Sequence, residues 1–267
     1  MDRIGFIGAG QMASAIAQGI SKSELPPVQF EISDPSDSAC SHFESLVDPK
    51  CKVIRAESNQ AVAECPILFL AVKPQYWVDA VDELKIPPTT IVVSIVAGVS
   101  VMQLELMLKT KKIVRTMPNT PCLIGKGACA IATSDDISPS ERDRIESLFS
   151  CSGISVFVDE NLIDSVTGVS GSGPAYVFTF IEALIDGGVL MGLSRQTSRQ
   201  LAVQTVLGAT EMLVDSGEHP AVLKDRVTSP GGTTIEALKI MEETGFRDSV
   251  MSAVQAATEK ARELGEN

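Results

Sequence analysis

The chain has 267 residues, 44% hydrophobic and 21% charged, a composition that suits a folded protein with a sizeable core and excludes a disordered one. A formal charge of -12 with a pI near 4.7, and no basic stripe, argue against nucleic acid as a partner. The start, Met1-Asp2-Arg3-Ile4-Gly5-Phe6-Ile7, reads as a strand and not as a secretory signal or transit helix, and no run of about eighteen residues is wholly apolar, so a cytoplasmic protein without a membrane partner is expected.

In chain order, β-branched apolar runs predict strands at Arg3–Ile7, Val28–Ile32, Lys52–Ile54, Ile67–Val72, Thr90–Ile95, Lys112–Thr116, Ala128–Ala132 and Ile154–Val158. Between them, helical patterns fall at Gln11–Ser23, Ser36–Val47, Ala61–Glu64, Trp77–Leu84, Val101–Leu108 and Pro139–Cys151. Apolar strands separated by helices imply a parallel sheet covered on both faces. After Asp159 the strands stop, and helices are predicted at Pro174–Met191, Arg195–Val214, Thr233–Met241 and Ser249–Leu264. The expected architecture is therefore α/β: a Rossmann-like dinucleotide-binding domain over 1–159, then an all-helical domain over 160–267. The second set of helices is very apolar for so short a segment, which predicts a homo-oligomer. Six scattered cysteines and two histidines, His42 and His219, lack the spacing of a metal site and leave little material for a histidine triad.

The residues Gly8-Ala9-Gly10-Gln11-Met12-Ala13 follow Ile7 and open the first helix. They fit the G-x-G-x-x-G/A pattern that holds a dinucleotide pyrophosphate at a helix N-terminus. Glu31 or Asp34 would accept a hydrogen bond from the adenosine ribose, favouring NAD, whereas the hydroxyls of Ser33 and Ser36 suit a 2′-phosphate; NADP and NAD both stay open. Ligands of such sheets sit beyond the strand carboxyl ends. That points to Lys73-Pro74-Gln75, Ala97-Gly98 and Asn119 as further contacts, with Asn59 capping a helix or reaching the adenosine.

Two loops of the helical half are rich in small residues: Ser170-Gly171-Ser172-Gly173-Pro174-Ala175-Tyr176 and Thr228-Ser229-Pro230-Gly231-Gly232-Thr233-Thr234. The second opens a helix, and its amides with the hydroxyls of Ser229, Thr233 and Thr234 would make a seat for a small carboxylate. Carbonyl reduction usually wants a histidine, lysine or tyrosine to protonate the product alkoxide. A protonated imine needs less, so the scarcity of histidine leans toward an imine substrate.

These segments, in this order, resemble the pyrroline-5-carboxylate reductase family over essentially the whole chain. The resemblance implies an enzyme that reduces (S)-1-pyrroline-5-carboxylate to L-proline with NAD(P)H in proline biosynthesis. It implies that Ser229, Gly232 and Thr233 hold the substrate carboxylate, that Thr234 bonds the ring nitrogen, and that Glu160 lies near cofactor and substrate. It makes Ala71-Val72-Lys73-Pro74 a central cofactor segment, and assigns Asn59 to the adenosine end of the cofactor and Lys73 with Ala97-Gly98 to the phosphate and nicotinamide side. It implies intertwined homodimers, often assembled into decamers. Asp34 departs from the family, whose members often place serine or arginine there. Arg226, asparagine in some relatives, would lie near the cofactor, and Gly217 stands where some relatives carry a glutamate, with Glu218 adjacent. The rival readings are a β-hydroxyacid dehydrogenase-like reductase, which needs a catalytic lysine in the helical half, and a non-catalytic nucleotide-sensing protein.

Overall fold

A computed structural model describes residues 2–266. Eight strands form one sheet in the order β3-β2-β1-β4-β5-β6-β7-β8, where β1 is Asp2–Ile7, β2 Val28–Ser33, β3 Lys52–Arg55, β4 Ile67–Leu70, β5 Ile91–Ser94, β6 Ile113–Met117, β7 Gly127–Thr133 and β8 Gly153–Phe157. The first six pair in parallel. The expected all-parallel sheet needs one correction: β7 runs antiparallel to β6, and β8 then pairs parallel to β7. The cause is the connection. Between Met117 and Gly127 the chain makes only a short turn, Thr120–Ile124, and a parallel return requires a crossover of a dozen or more residues.

Alternation along the strands divides the core. On one face Ile4, Phe6, Phe30, Ile32, Ile67 and Phe69 pack with Ala13, Ile16, Phe43, Ile145 and Phe149, which belong to α1 (Gln11–Lys22), α2 (Asp37–Leu46) and α6 (Pro139–Ser150). Phe6 and Phe69 stack there at 4.6 Å. On the other face Ile7, Leu68, Leu70, Val92 and Ile113 meet Val62, Val81, Leu104 and Leu108, from α3 (Asn59–Ala63), α4 (Trp77–Val81) and α5 (Val101–Leu108). Each face is thus closed by helices, as a buried parallel sheet demands. Burial also pushes up the thiols of Cys65, to about 11, and of Cys122 and Cys129, so these cysteines behave as small apolar groups.

Glu31 sits buried in β2 and accepts from Arg3 Nε at 2.7 Å and Nη2 at 3.1 Å. The guanidinium holds its carboxyl below the ordinary value of 4.5, against the opposing push of burial. A depressed carboxyl stabilises the fold above its unfolded pKa, and that stabilisation is lost as the pH falls through its folded pKa. Glu31→Gln is therefore expected to flatten the fall of Tm on acidification below pH 4.5. Glu141, lowered by Lys112, retains part of the slope. Parallel Tm-against-pH curves for variant and parent would refute this.

After β8 the chain enters a helical run over Glu160–Leu190: a 3-10 turn, α7 (Ile163–Val166), a wide π turn at Thr167–Gly171, and α8 (Gly173–Leu190). Then follow α9 (Arg195–Ser216), α10 (Pro220–Arg226), α11 (Thr233–Glu243) and α12 (Phe246–Glu266). The chain forms two compact units, one of residues 1–172 with 255–267 and one of 173–254, a division different from the expected boundary at 159/160. Ile163 and Val166 pack on Met117, Ala130 and Ala132 of the sheet, and Leu264-Gly265 lie against Gly98; both ends of the helical region therefore belong to the sheet's unit.

Within 173–254, α8 and α9 approach closely: a Cβ on Gly188 would fall 2.2 Å from Ser198 Oγ, which donates to Ile185 O at 2.7 Å. Elsewhere the unit leaves large apolar groups bare, among them Phe178, Leu190, Met191, Leu201, Leu207, Met212 and Val214. Such surface on a folded unit marks a missing partner.

Candidate active site

The glycine turn lies where β1 is flanked by β2 and β4, the switch point at which open α/β sheets bind ligands. Gly8 has φ 96, and a Cβ there would sit 2.6 Å from Ala71 O, so both the backbone angle and the close approach to the end of β4 require glycine. Its N–H donates to Ser33 O, and Ala71 N donates to Ile7 O, each at 2.8 Å. Gly10 plays a different part. It is the N-cap of α1, with no side chain capping the helix, and a Cβ on it would meet nothing within 4 Å. An open cradle over an uncapped helix start fits a dinucleotide pyrophosphate. Ile7, Gly8 and Ala9 are buried, whereas Gly10 and Gln11 are exposed and Met12 half-buried at the cradle.

The two acidic candidates separate cleanly. Glu31 is consumed by Arg3 and by Gln29. Asp34 sits at the rim of the turn, its Oδ2 accepting from Ala9 N and its Oδ1 from Ser36 N, both at 2.8 Å. Beside it Ser33 Oγ donates to Asn59 Oδ1 at 2.7 Å, and Asn59 Nδ2 donates to Ala80 O at 2.8 Å. Asn59 is the first residue of α3, tied between the end of β2 and α4; Ser58 is the helix cap.

Beyond β4, Ala71 and Val72 are half-buried and Lys73 and Pro74 exposed, with Lys73 opening the Pro74–Tyr76 turn. Ala97 packs against the Met117–Ile163 cluster. Gly98 is covered: a Cβ on it would lie 3.2 Å from Leu264 and Gly265. Asn119 is buried, its Nδ2 donating to Ser170 O at 3.0 Å and its Oδ1 accepting from Ala128 N at 2.9 Å, so it fastens the π turn to the sheet. Glu160 Oε1 accepts from Val101 N at 2.6 Å, the first amide of α5, and lies 3.4 Å from Arg115 Nη1.

Arg115 escapes the sequence reading. It lies in β6 with its side chain 7% exposed and donates to Asp164 Oδ1 at 2.9 Å. Its signal is a single charge inside the apolar run Ile113–Met117.

In the unit of 173–254 the Ser229–Gly232 turn closes by Gly232 N donating to Ser229 O at 3.1 Å. Pro230 holds its second position and Gly231, with φ 65, its third, the residues such a turn demands. Gly232 is the N-cap of α11, again without a side-chain cap, and Ser229 Oγ leans over it, 2.3 Å from where a Cβ would be. Thr233 and Thr234 are the first two residues of α11. With the Gly232 amide spent on the turn, the arrangement offers the first amides of α11 and the Ser229, Thr233 and Thr234 hydroxyls at a positive helix end, a seat for a carboxylate. Arg226 forms a bidentate pair with Glu218, and Tyr176 of the other small-residue loop donates from its hydroxyl to Ala253 O at 3.4 Å.

Family matches cover both parts of the chain. Residues 160–264 match the family described as pyrroline-5-carboxylate reductase dimerisation, and residues 3–98 match NADP oxidoreductase, coenzyme F420-dependent. The pyrroline-5-carboxylate reductase of Synechocystis is 41% identical over 265 residues, covering 98% of each chain. A Plasmodium falciparum pyrroline carboxylate reductase, solved with NADP bound, superposes with a TM-score of 0.85 at 34% identity over 99% of this chain and 98% of that one. The Coxiella burnetii pyrroline-5-carboxylate reductase gives 0.86 at 32% identity over 99% and 98%. The Glu160–Leu190 run has the length and hydropathy of a membrane span, with none of its apolar window buried; a dimerisation region over the same residues accounts for that bare surface. The chain belongs to the pyrroline-5-carboxylate reductase family.

Proposed function

We propose that the protein reduces (S)-1-pyrroline-5-carboxylate to L-proline, with NADH or NADPH as the reductant. The observation that carries this reading is the uncapped start of α11 behind the Ser229–Gly232 turn, a carboxylate seat in a chain whose first turn fits a dinucleotide. When bound, the reduced nicotinamide supplies a hydride to the carbon of the C=N bond. Gly10 and the first amides of α1 hold the pyrophosphate. The amides of Thr233 and Thr234, with the Ser229 hydroxyl, hold the carboxylate and so fix which ring carbon is presented, while the Gly232 amide closes the turn beneath them. The Thr234 hydroxyl bonds the ring nitrogen, which enters protonated and leaves as the amine, so no strong base is required. Glu160 acts at one remove, through the α5 start and Arg115.

The lysines of the helical half speak against the β-hydroxyacid dehydrogenase alternative. Lys239 pairs with Glu243 and Lys260 with Glu263 on exposed helix faces, and Lys224 stands in the last turn of α10. For the assembly, the minimal unit we infer is a dimer through residues 160–264, and light scattering distinguishes it from the decamer that the resemblance implies.

The deciding assay follows oxidation of NADH and of NADPH by purified protein with 1-pyrroline-5-carboxylate. Turnover is expected, and none with either cofactor would refute the reading. Thr234→Ala is expected to lower kcat/KM by on the order of a hundredfold, the usual cost of one lost transition-state donor, with Tm little changed. Full kcat/KM in this variant would remove Thr234 from the site.

A further inference from the structure

We infer that Asp34 makes this enzyme take NADH in preference to NADPH. The inference rests on the dinucleotide reading of the glycine turn. Asp34 follows directly on β2, and in this fold the adenosine ribose lies at the carboxyl end of that strand. What the structure adds is that the carboxylate is fixed. One oxygen accepts from Ala9 N within the glycine turn and the other from Ser36 N, each at 2.8 Å. To swing away it would have to abandon two backbone amides, one of them in the turn that holds the pyrophosphate. Its remaining lone pairs are free to accept from ribose hydroxyls. Towards a 2′-phosphate it can offer only repulsion, since both groups are anionic acceptors and neither donates.

The surroundings do not offset that charge. Arg55, at the carboxyl end of β3, donates from Nε and Nη2 to Glu44 at 2.7 and 2.8 Å, from Nη2 to Ser41 at 2.9 Å, and reaches Asp37 at 3.4 Å. Asp34, Asp37 and Glu44 thus set three carboxylates against one guanidinium at this edge. Arg3 is held by Glu31. The positive end of α2, an obvious place for a phosphate, already has the Ser36 hydroxyl on Ala39 N and Asp37 in its first turn. The Ser33 hydroxyl is committed to Asn59.

The test is binding, measured by calorimetry without substrate, of NADH and NADPH to the parent, Asp34→Ser and Asp34→Asn. The parent is expected to bind NADH at least about tenfold more tightly, a modest value for like charges held in contact at a protein surface. Both variants are expected to bind NADPH about tenfold more tightly than the parent does. Asparagine keeps an acceptor for one of the two amides, so it stays informative if the serine variant fails to fold. ADP-ribose and its 2′-phosphorylated form are expected to reproduce the parent's ratio, placing the effect at the adenosine end. Equal or tighter binding of NADPH by the parent would overturn the proposal while leaving the dinucleotide site intact, as would a ratio unmoved in a folded Asp34→Asn. Binding of neither cofactor would overturn the underlying reading and the proposal with it.

Discussion

Arg115→Met is expected to destabilise the protein by about 3 kcal/mol, the low end of the cost of breaking a buried ion pair, because solvent reaches the two carboxylates left behind. In a chain of this size that is a fall in Tm of roughly 6–12 °C. The guanidinium lies in the sheet, between Asp164 at 2.9 Å and Glu160 at 3.4 Å, and those carboxylates are only 20% and 36% exposed. Methionine keeps most of the apolar bulk, so the loss reports on charge rather than on a cavity. A second substitution, Asp164→Asn, made on top of the first, should recover part of the loss, because the carboxylate that most needs the cation is then gone. An Arg115→Met protein that melts with the parent would show that the pair adds nothing. The functional consequence is indirect. Glu160 accepts from Val101 N at the start of α5, so releasing it loosens one contact on the helix that follows the Ala97-Gly98 loop, whose Ser100–Gln103 capping box remains.

Two neighbouring glycines should fail in opposite ways. Gly8→Ala forces a side chain onto φ 96 and into Ala71 O at 2.6 Å. A loss of about 3 kcal/mol is expected, with a fall in Tm and loss of dinucleotide binding together. Gly10→Val meets no protein atom within 4 Å and sits at extended backbone angles. Its Tm should stay within about 4 °C of the parent, the scale of an N-cap change, while dinucleotide affinity drops at least about a hundredfold as the cradle fills. Calorimetry and thermal denaturation on the two variants separate the effects. A Gly10→Val protein that binds NADH and NADPH like the parent would move the pyrophosphate elsewhere.

The comparison of these glycines shows what the sequence could reveal. The G-x-G-x-x-A spacing marks both positions, because backbone requirements leave a trace in residue type. Helix α5 was legible to its end residues, Val101–Leu108, since a serine cap precedes an apolar period. The reversal of β7 was not, because alternation carries no direction; only the short link after Met117 hints at it. The run over 160–171 was not read as helix, since a 3-10 start and the glycine-bearing π turn break the period of 3.6. The seven-residue α10 is too short to show one. In the site, the choice between Glu31 and Asp34 turned on Arg3, twenty-eight residues from Glu31, and the role of Arg115 on carboxylates 45 and 49 residues away. Such long-range pairs leave no local pattern.

The composition of the sheet's unit bears on how the protein is made. That unit takes residues 1–172 and then, after the insertion of 173–254, residues 255–267. Gln103 Nε2 reaches Gly265 O at 3.4 Å, and Gly98 is covered by Leu264 and Gly265. A ribosome adding about 5–20 residues per second delivers the sheet first and the helix that covers Gly98 only seconds later. During that interval the Ala97-Gly98 loop lacks its cover, while the apolar helices emerge without a second chain. A nascent chain stalled before Gln255 would therefore carry a sheet that has yet to receive the helix lying against Gly98.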